Sequence, residues 1–240
     1  MSAVENAGQK GNVAVLDLAE SDLRTVNSAL QANNSSKASG YFQVVNSRGA
    51  HAVACGLDAP LDVEILGHAG YFCAGMNKSA RVVVKGNVGT GVAENMMSGE
   101  VIVRGDASQS AGATAHGGLL VIEGNASARC GISLKGGEIV VKGNVGHMSM
   151  FMAQSGALAV LGDAGDALGD SLYEARIYVR GKVSGLGADC IEKEMRDEHR
   201  TQLRDLLDRA GCDDVDVSEF KRYGSARELY NFKADNISVY

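Results

Sequence analysis

The segments RVVVKGNVG (residues 81–89) and EIVVKGNVG (residues 138–146) are two copies of a nineteen-residue unit that recurs from Asp62 to Asp189. No insertion or deletion interrupts the spacing of the seven copies. The glycine that anchors each copy is Gly67, Gly86, Gly105, Gly124, Gly143, Gly162 or Gly181. A fixed period of this length is typical of a solenoid, in which each repeat builds one turn.

Each unit carries the pattern of one β-strand. Counted from five residues before the anchor glycine, the second and fourth positions are apolar in all seven copies, as in Val82 and Val84. This alternation directs two side chains of each unit to the core, whereas the first and fifth positions lean polar and are predicted to face water. The anchor glycine, which Asn or Asp follows in five copies, predicts a corner that uses a positive φ.

The length of the unit selects the architecture. Nineteen residues extend over at most about 60 Å, which is too short for a strand-helix-strand unit but sufficient for one closed turn. We therefore predict an all-β solenoid, a right-handed parallel β-helix of seven to eight rungs, over residues 43–190, with regular rungs at 62–189. The first rung begins at Gln43 and is imperfect, because its glycine, Gly49, comes one place late.

Stacked rungs turn each repeat position into a column, which tests the alignment. In the first-position column Arg81 lies between two acids, Asp62 and Glu100. In the corner column Asp106 lies between Asn87 and Asn125. Neighbouring charges in these columns mostly attract, as adjacent strands require.

The flanks depart from the repeat. Residues 1–42 are predicted to form an N-terminal α/β cap, with a loose segment at 1–11, a short strand near residues 13–18 and a helix that Ser21 caps. Residues 191–240 are predicted to begin with a helix that carries Ile191 and Leu203 on one face and ends at Gly211.

The chain ends in an aromatic tail. Five of its twelve aromatic residues lie in the last twenty-one positions. They are Phe220, Tyr223, Tyr230, Phe232 and Tyr240. We interpret the tail as an arm that docks on a partner protein; the alternative is that it folds back over the open end of its own β-helix.

Composition narrows the functional class. A net charge of −6 makes nucleic acid and anionic membrane surfaces unsuitable as main partners. The chain has no basic start followed by an apolar run and no apolar stretch of membrane-spanning length, so we expect a soluble cytoplasmic protein.

The cysteines are odd in number and widely spaced, a pattern that indicates neither a disulfide framework nor an iron–sulfur motif. They are Cys55, Cys73, Cys130, Cys190 and Cys212.

No motif for chemistry stands out. The histidines show neither HxH nor HExxH spacing, and we expect them to be solvated or at corners. They are His51, His68, His116, His147 and His199.

The methionines of MMSG (96–99) and HMSMFM (147–152) could line a ligand path, but core filling is the simpler interpretation. The same interpretation applies to Cys73 and Cys130, which share one repeat column. The glycines match neither a dinucleotide nor a phosphate loop. We predict no catalytic, cofactor-binding or metal-binding residues.

The rungs GNVGTG (86–91), GDASQSAG (105–112) and GNVGHMSM (143–150), with their nineteen-residue spacing, resemble the glycine-rich (GXGXG) β-helix domain that ends the large subunit of bacterial glutamate synthase. The β-helix component of formylmethanofuran dehydrogenase is similar in the same region. The segment FKRYGSARELYNF (220–232) is also similar to the segment after the β-helix of glutamate synthases, which favours that side of the family.

A free-standing β-helix of this kind is most similar to the third component of three-subunit N-methylglutamate synthases, also called methylamine glutamate N-methyltransferases. The resemblance implies a non-catalytic scaffold that bridges an amidotransferase-like subunit and a synthase-like subunit, with FMN and an iron–sulfur cluster on the latter. It transfers no functional residue, because the shared motif consists of structural glycines.

Two alternative functions stay open, and a third is excluded by the repeat pattern. The chain could belong to another glutamate synthase-like or formylmethanofuran dehydrogenase-like complex. In a different class, it could be an independent binding module that displays a flat β-helix face. A left-handed β-helix acyltransferase repeats an apolar hexapeptide, which this unit does not contain.

Overall fold

A computed structural model describes residues 13–227. The strands are β1 (Ala14–Asp17), β2 (Gly40–Val45), β3 (Leu61–Ile65), β4 (Arg81–Val84), β5 (Glu100–Val103), β6 (Leu119–Ile122), β7 (Lys135–Val141), β8 (Ser155–Val160), β9 (Arg176–Val179), β10 (Cys190–Lys193) and β11 (Lys221–Ser225). The helices are α1 (Leu23–Gln31) and α2 (Asp197–Arg209), and a 3₁₀ helix spans Val217–Glu219.

The repeats form a parallel β-helix, as predicted. Strands β2 to β9 pair in chain order, all in parallel. From β3 onward paired residues are nineteen positions apart, as Val82 and Val101 are, except at the start of β7, where Lys135 pairs with Ser155 and the register shifts. A second line of parallel bridges runs up the solenoid through Val88 and Ala107. The alignment of the regular rungs is therefore confirmed.

The first rung is longer than the nineteen residues that we assigned to it. Phe42 pairs with Val63, an offset of twenty-one residues, and the strand begins at Gly40 rather than at Gln43. The position that matches the corner glycine Gly67 is Asn46, with a φ of 55°. Asn tolerates the left-handed region better than most residues, so this rung turns without a glycine there.

The anchor glycines are required for a different reason from the one we predicted. Of the seven, all within the described residues, Gly67 alone has a positive φ. A β-carbon added at Gly124 would instead lie 2.4 Å from Oδ1 of Asp106 and 2.8 Å from the carbonyl oxygen of Gly105. Close approach of successive rungs, rather than backbone conformation, excludes side chains at this corner. Positive φ angles fall on alternate residues further along each rung, such as Ala93 and Asn95.

A ladder of side-chain hydrogen bonds climbs the same corner. The backbone N–H of Asn125 donates to Oδ1 of Asp106 at 2.7 Å, and the N–H of Asn144 donates to Oδ1 of Asn125 at 2.9 Å. The pattern continues through Asp163 to the N–H of Lys182. Each Asn or Asp thus satisfies a backbone donor of the following rung, which the strand pairing leaves unused.

The predicted charge columns are also present. Arg81 forms an ion pair with Glu100 at 2.8 Å, and Glu123 contacts both Arg104 and Lys142. These pairs are partly exposed, so each contributes little to stability.

The outer face of the sheet is also apolar. The third strand position, for which the repeat pattern made no prediction, is buried from β4 to β9. Leu203, Leu206 and Leu207 of α2, which contacts β7 and β8, share one buried cluster with these side chains, which include Val83, Val121, Val140 and Tyr178. The sheet therefore has apolar contacts on both faces.

The tail folds back onto its own chain as far as the structure describes it. Strand β11 lies between β9 and β10 and pairs antiparallel with both. Phe220 and Tyr223 are buried, at 4% and 5% exposure, so they are not docking anchors. Tyr230, Phe232 and Tyr240 lie outside the described residues, as do residues 1–11.

Two local predictions in the flanks were wrong. Helix α1 is capped by Asp22, whose Oδ1 accepts from the N–H of Thr25 at 2.7 Å, and not by Ser21. Ile191 belongs to β10 and not to a helix. The strand near residues 13–18 and the end of α2 before Gly211 agree with the prediction.

Gly124→Ala separates crowding from backbone conformation. Because the added carbon would overlap the preceding rung, we expect it to lower the free energy of unfolding by about 2 to 3 kcal/mol. The control is Gly49→Ala, where φ is +77° and no atom lies within 4 Å of the added carbon, with an expected loss of about 1 kcal/mol. Urea unfolding measures both. A larger loss for Gly49→Ala would contradict the crowding argument.

Phe220→Ala tests whether the tail belongs to the fold. Removing a buried ring from the cluster under α2 should cost about 3 to 5 kcal/mol in the free energy of unfolding. Phe72, which is 47% exposed, provides a control of the same residue type, and Phe72→Ala should change stability by less than about 0.5 kcal/mol. Equal losses for the two variants would mean that Phe220 does not pack on the β-helix.

Candidate functional site

A polar groove lies where the C-terminal segment meets the last rungs. Its volume is about 540 Å³. The wall on the solenoid side comes from β7, β8 and the start of β9, and the opposite wall comes from β10, α2 and β11. Glycine and serine line much of the groove, so backbone groups reach its surface.

Strand register brings cations together in this groove. Lys193 of β10 is the direct partner of Arg222 of β11, and Arg222 is the direct partner of Tyr178 of β9. Arg176 lies two residues before Tyr178 and so shares its face of the strand. Side chains of directly opposed residues start about 5 Å apart. Three cationic side chains therefore line one groove.

Each of these cations is held by a neutral acceptor. Nη1 of Arg176 donates to Oε1 of Gln202 at 2.7 Å, and the Tyr178 hydroxyl donates to the same oxygen at 2.8 Å. Nζ of Lys193 donates to the carbonyl oxygen of Ser225 at 2.7 Å. Nε of Arg222 donates to the carbonyl oxygen of Glu194 at 2.9 Å.

The carboxylates near the groove are engaged elsewhere or exposed. Glu138 pairs with Arg209 at 2.6 Å, and Asp189 pairs with Arg227 at 2.6 Å. Glu174 also lines the groove and is exposed. Within residues 13–227, none of the ion pairs neutralises Arg176, Lys193 or Arg222.

The pKa values of Arg222 and Tyr178 are shifted mainly by burial. Burial, together with the charges of Arg176 and Arg196, holds the pKa of Arg222 below its usual range, although Tyr178 and Glu198 act in the opposite direction. Arginine remains charged at neutral pH after such a shift. Burial raises the pKa of Tyr178 to about 12, so its hydroxyl stays protonated.

His199 lies beside this cluster and is buried. Its Nδ1 accepts from the N–H of Arg196 at 3.2 Å, which closes the first turn of α2. Burial, followed by the charges of Arg222 and Arg176, lowers the pKa of His199, although nearby Glu198 opposes the shift. The neutral imidazole is therefore the form that the fold stabilises.

The arrangement suits recognition of a negatively charged oxygen group. Two guanidinium groups and one ammonium group offer several N–H donors, and charge-assisted bonds to carboxylate or phosphate are stronger than neutral ones.

The histidines that the sequence brought to attention do not converge. His51, His68, His116 and His147 are exposed. Nδ1 of His68 accepts from the N–H of Asn87 and begins the corner ladder, while His51 stacks on Tyr71 with ring centroids 4.5 Å apart. Among residues 13–227, no three His, Cys, Asp or Glu side chains group closely enough to hold a metal ion. The lack of metal-binding residues stays a prediction.

Two of the cysteines, and two of the methionines in the MMSG and HMSMFM motifs, fill the core. Cys73 and Cys130 are fully buried, and burial raises the pKa of the Cys130 thiol to about 12. Met96 and Met150 are also buried, whereas Met97 and Met152 are about half exposed. The expectation of core filling is therefore confirmed for Cys73, Cys130, Met96 and Met150.

Sequence reasoning missed the groove. Its cations come from three strands that are far apart in the chain, and two of these strands were assigned to a helix and an arm. The segment Phe220 to Ser225 reads FKRYGS and shows no apolar–polar alternation, so the sequence carries no period-two signal for this strand.

None of the helices in the described range is long and apolar enough to cross a lipid bilayer.

Comparison with known proteins gives one informative match. The chain is 61% identical over 226 residues to Protein GlxC of Rhizobium meliloti (strain 1021), and the alignment covers 94% of this chain and 99% of that protein. No protein-family model matches the chain.

His199→Asn should reduce the sensitivity of stability to mild acid. A folded-state pKa below the ordinary value of 6.5 means that the unfolded chain binds the proton more tightly. The stabilisation is complete above about pH 6.5 and is lost as the pH falls towards the folded-state pKa. We therefore expect the melting temperature of the unmodified chain to fall more steeply between neutral and mildly acidic pH than that of His199→Asn.

The exposed His147 provides the control for this measurement. His147→Asn makes the same substitution at an exposed histidine, and the pH dependence of the melting temperature should change more in His199→Asn than in His147→Asn. If His199→Asn and the unmodified chain have parallel profiles, the imidazole is not stabilised in its neutral form.

Proposed function

The chain belongs to the family that includes Protein GlxC, and on this premise we propose that it is a non-catalytic scaffold subunit of a multi-subunit enzyme related to glutamate synthase. Within that class we propose an N-methylglutamate synthase, because the rungs and the segment 220–232 resemble the glutamate synthase β-helix and the chain matches Protein GlxC over 99% of the length of that protein. The chain would bridge an amidotransferase-like subunit and a synthase-like subunit in the cytoplasm.

The observation that carries the proposal is the glycine corner. The glycines that give the rungs their resemblance to the glutamate synthase β-helix are the residues at which successive rungs touch, as Gly124 touches Gly105. A motif that fixes the spacing between rungs supports a role in holding other parts at set positions. It supplies no group for catalysis.

The proposed reaction converts glutamate and methylamine to N-methylglutamate and ammonia. One amine replaces another, so atoms balance without an external oxidant or reductant. FMN and an iron–sulfur cluster would be bound by the synthase-like partner. The five cysteines of this chain, all described and all unpaired, agree with a reducing compartment.

Affinity purification of the full-length tagged chain from its native host tests the proposal. We expect an amidotransferase-like chain and a flavin-containing chain to co-elute in fixed ratio on size-exclusion chromatography. The purified complex should form N-methylglutamate from glutamate and methylamine. The chain purified alone should show no visible absorption from a cofactor.

The contrary outcomes are distinct. A chain that elutes alone from chemically cross-linked cells would favour the independent binding module. A flavin or iron–sulfur spectrum that scales with the isolated chain would contradict the non-catalytic role. A complex that uses ammonia but not methylamine would keep the scaffold and reject the specific enzyme.

A further inference from the structure

We propose that the groove formed by Arg176, Lys193 and Arg222 binds a small polyvalent oxyanion, a phosphate or a di- or tricarboxylate. This inference is independent of the proposed complex, because every residue that it uses belongs to this chain.

The first argument is the direct opposition of like charges. Lys193 and Arg222 are paired across adjacent strands, an arrangement that destabilises a sheet. On the regular rungs Arg81 lies between Asp62 and Glu100.

Lys85 and Arg104 are like charges in neighbouring rungs, but each forms an ion pair, with Glu64 and Glu123 respectively. The groove differs because its opposed cations have no such partner among the described residues.

The second argument is the contrast between the positive charge of the groove and the negative net charge of the whole chain. The chain carries a net charge of −6, yet these three cations are neutralised by no described carboxylate. Arg196 faces the same region and is paired with Glu194, while Glu198 contacts His199. A bound anion with two or more negative charges would remove the repulsion that the fold leaves in place.

The third argument is the donor geometry. The side-chain oxygen Oε1 of Gln202 accepts the hydrogen bond from Arg176. The side-chain N–H groups of Gln202 take no part in this bond and can donate to a ligand. The hydrogen bonds of Lys193 and Arg222 to carbonyl oxygens each use one donor of a group that has several. The groove thus presents donors from three strands and one helix.

The size and polarity of the groove favour a small molecule over a protein segment. A volume of about 540 Å³ lies in the range of small-ligand sites. Protein-docking sites depend on buried apolar and aromatic anchors, and Tyr173 and Ala175 are the main apolar side chains in this lining. A phosphate and a tricarboxylate share the chemistry that the cations recognise, so experiment must separate them.

Thermal unfolding of the full-length chain with added potassium phosphate or citrate tests the site. Chloride holds the ionic strength constant. We expect the melting temperature of the unmodified chain to rise with anion concentration, because a ligand that binds only the folded state stabilises it. Calorimetric titration should show saturable heat at one site, and the tighter of the two anions identifies the class.

Arg222→Gln and Arg176→Gln should each abolish the saturable heat and the specific rise in melting temperature. Arg81→Gln removes an equal charge from an ion pair outside the groove and should retain both effects. Phosphate and citrate also stabilise proteins by exclusion from the surface, and that general effect is common to all the variants. If Arg222→Gln does not fold, Lys193→Gln replaces it.

The proposal fails if the variants keep the binding heat of the unmodified chain. It also fails if neither anion gives saturable heat. If instead Arg222→Gln loses partner chains from the purified complex while no anion binds, the cations contact a carboxylate of a partner protein, and the small-ligand site is rejected.

Discussion

Direct contact between the backbones of successive rungs is the constraint on which the rest of the molecule depends. At the anchor corner, the N–H of Gly124 donates to the carbonyl oxygen of Gly105 at 3.1 Å, and the same contact recurs at Gly143, Gly162 and Gly181. A side chain at any of these positions would separate the rungs. Parallel strands then could not keep the register that buries two alternate side chains per rung.

The regular rungs could be predicted from the sequence because the strand pattern recurs in seven copies and the Asn or Asp corner in five of them. The alternation around Val82 and Val84, the charge column of Arg81 and the Asn/Asp corner all follow from a fixed nineteen-residue period. The role of the glycine could not be predicted in the same way. A positive φ and a close backbone contact both require glycine, and only the position of the neighbouring rung distinguishes them.

The C-terminal segment was harder to predict because its contacts are made once. The repeat pattern made no prediction for the position of Val121 and Val140, although a strand buried on both faces shows a nearly continuous apolar run. Those runs indicate that another element covers the outer face, and α2 contacts it at β7 and β8. Phe220 and Tyr223 fitted the pattern of a docking arm, and their spacing of three residues gave no sign of a strand. The wrong assignment of this segment also prevented prediction of the cationic groove, because the walls of the groove exist only when β10 and β11 join the sheet.

The corner ladder ends at the last regular rung. Each rung supplies an acceptor to the rung that follows it, so the stack has a direction, and a further regular rung would need an acceptor side chain such as Asn, Asp or His at the corner. The last corner position is Lys182, whose ammonium group has no acceptor to offer. Duplication of a whole unit inside the stack would preserve every contact of the ladder, whereas growth beyond Lys182 would leave a backbone donor without its partner. The ladder therefore tolerates an added unit inside the stack better than one after Lys182.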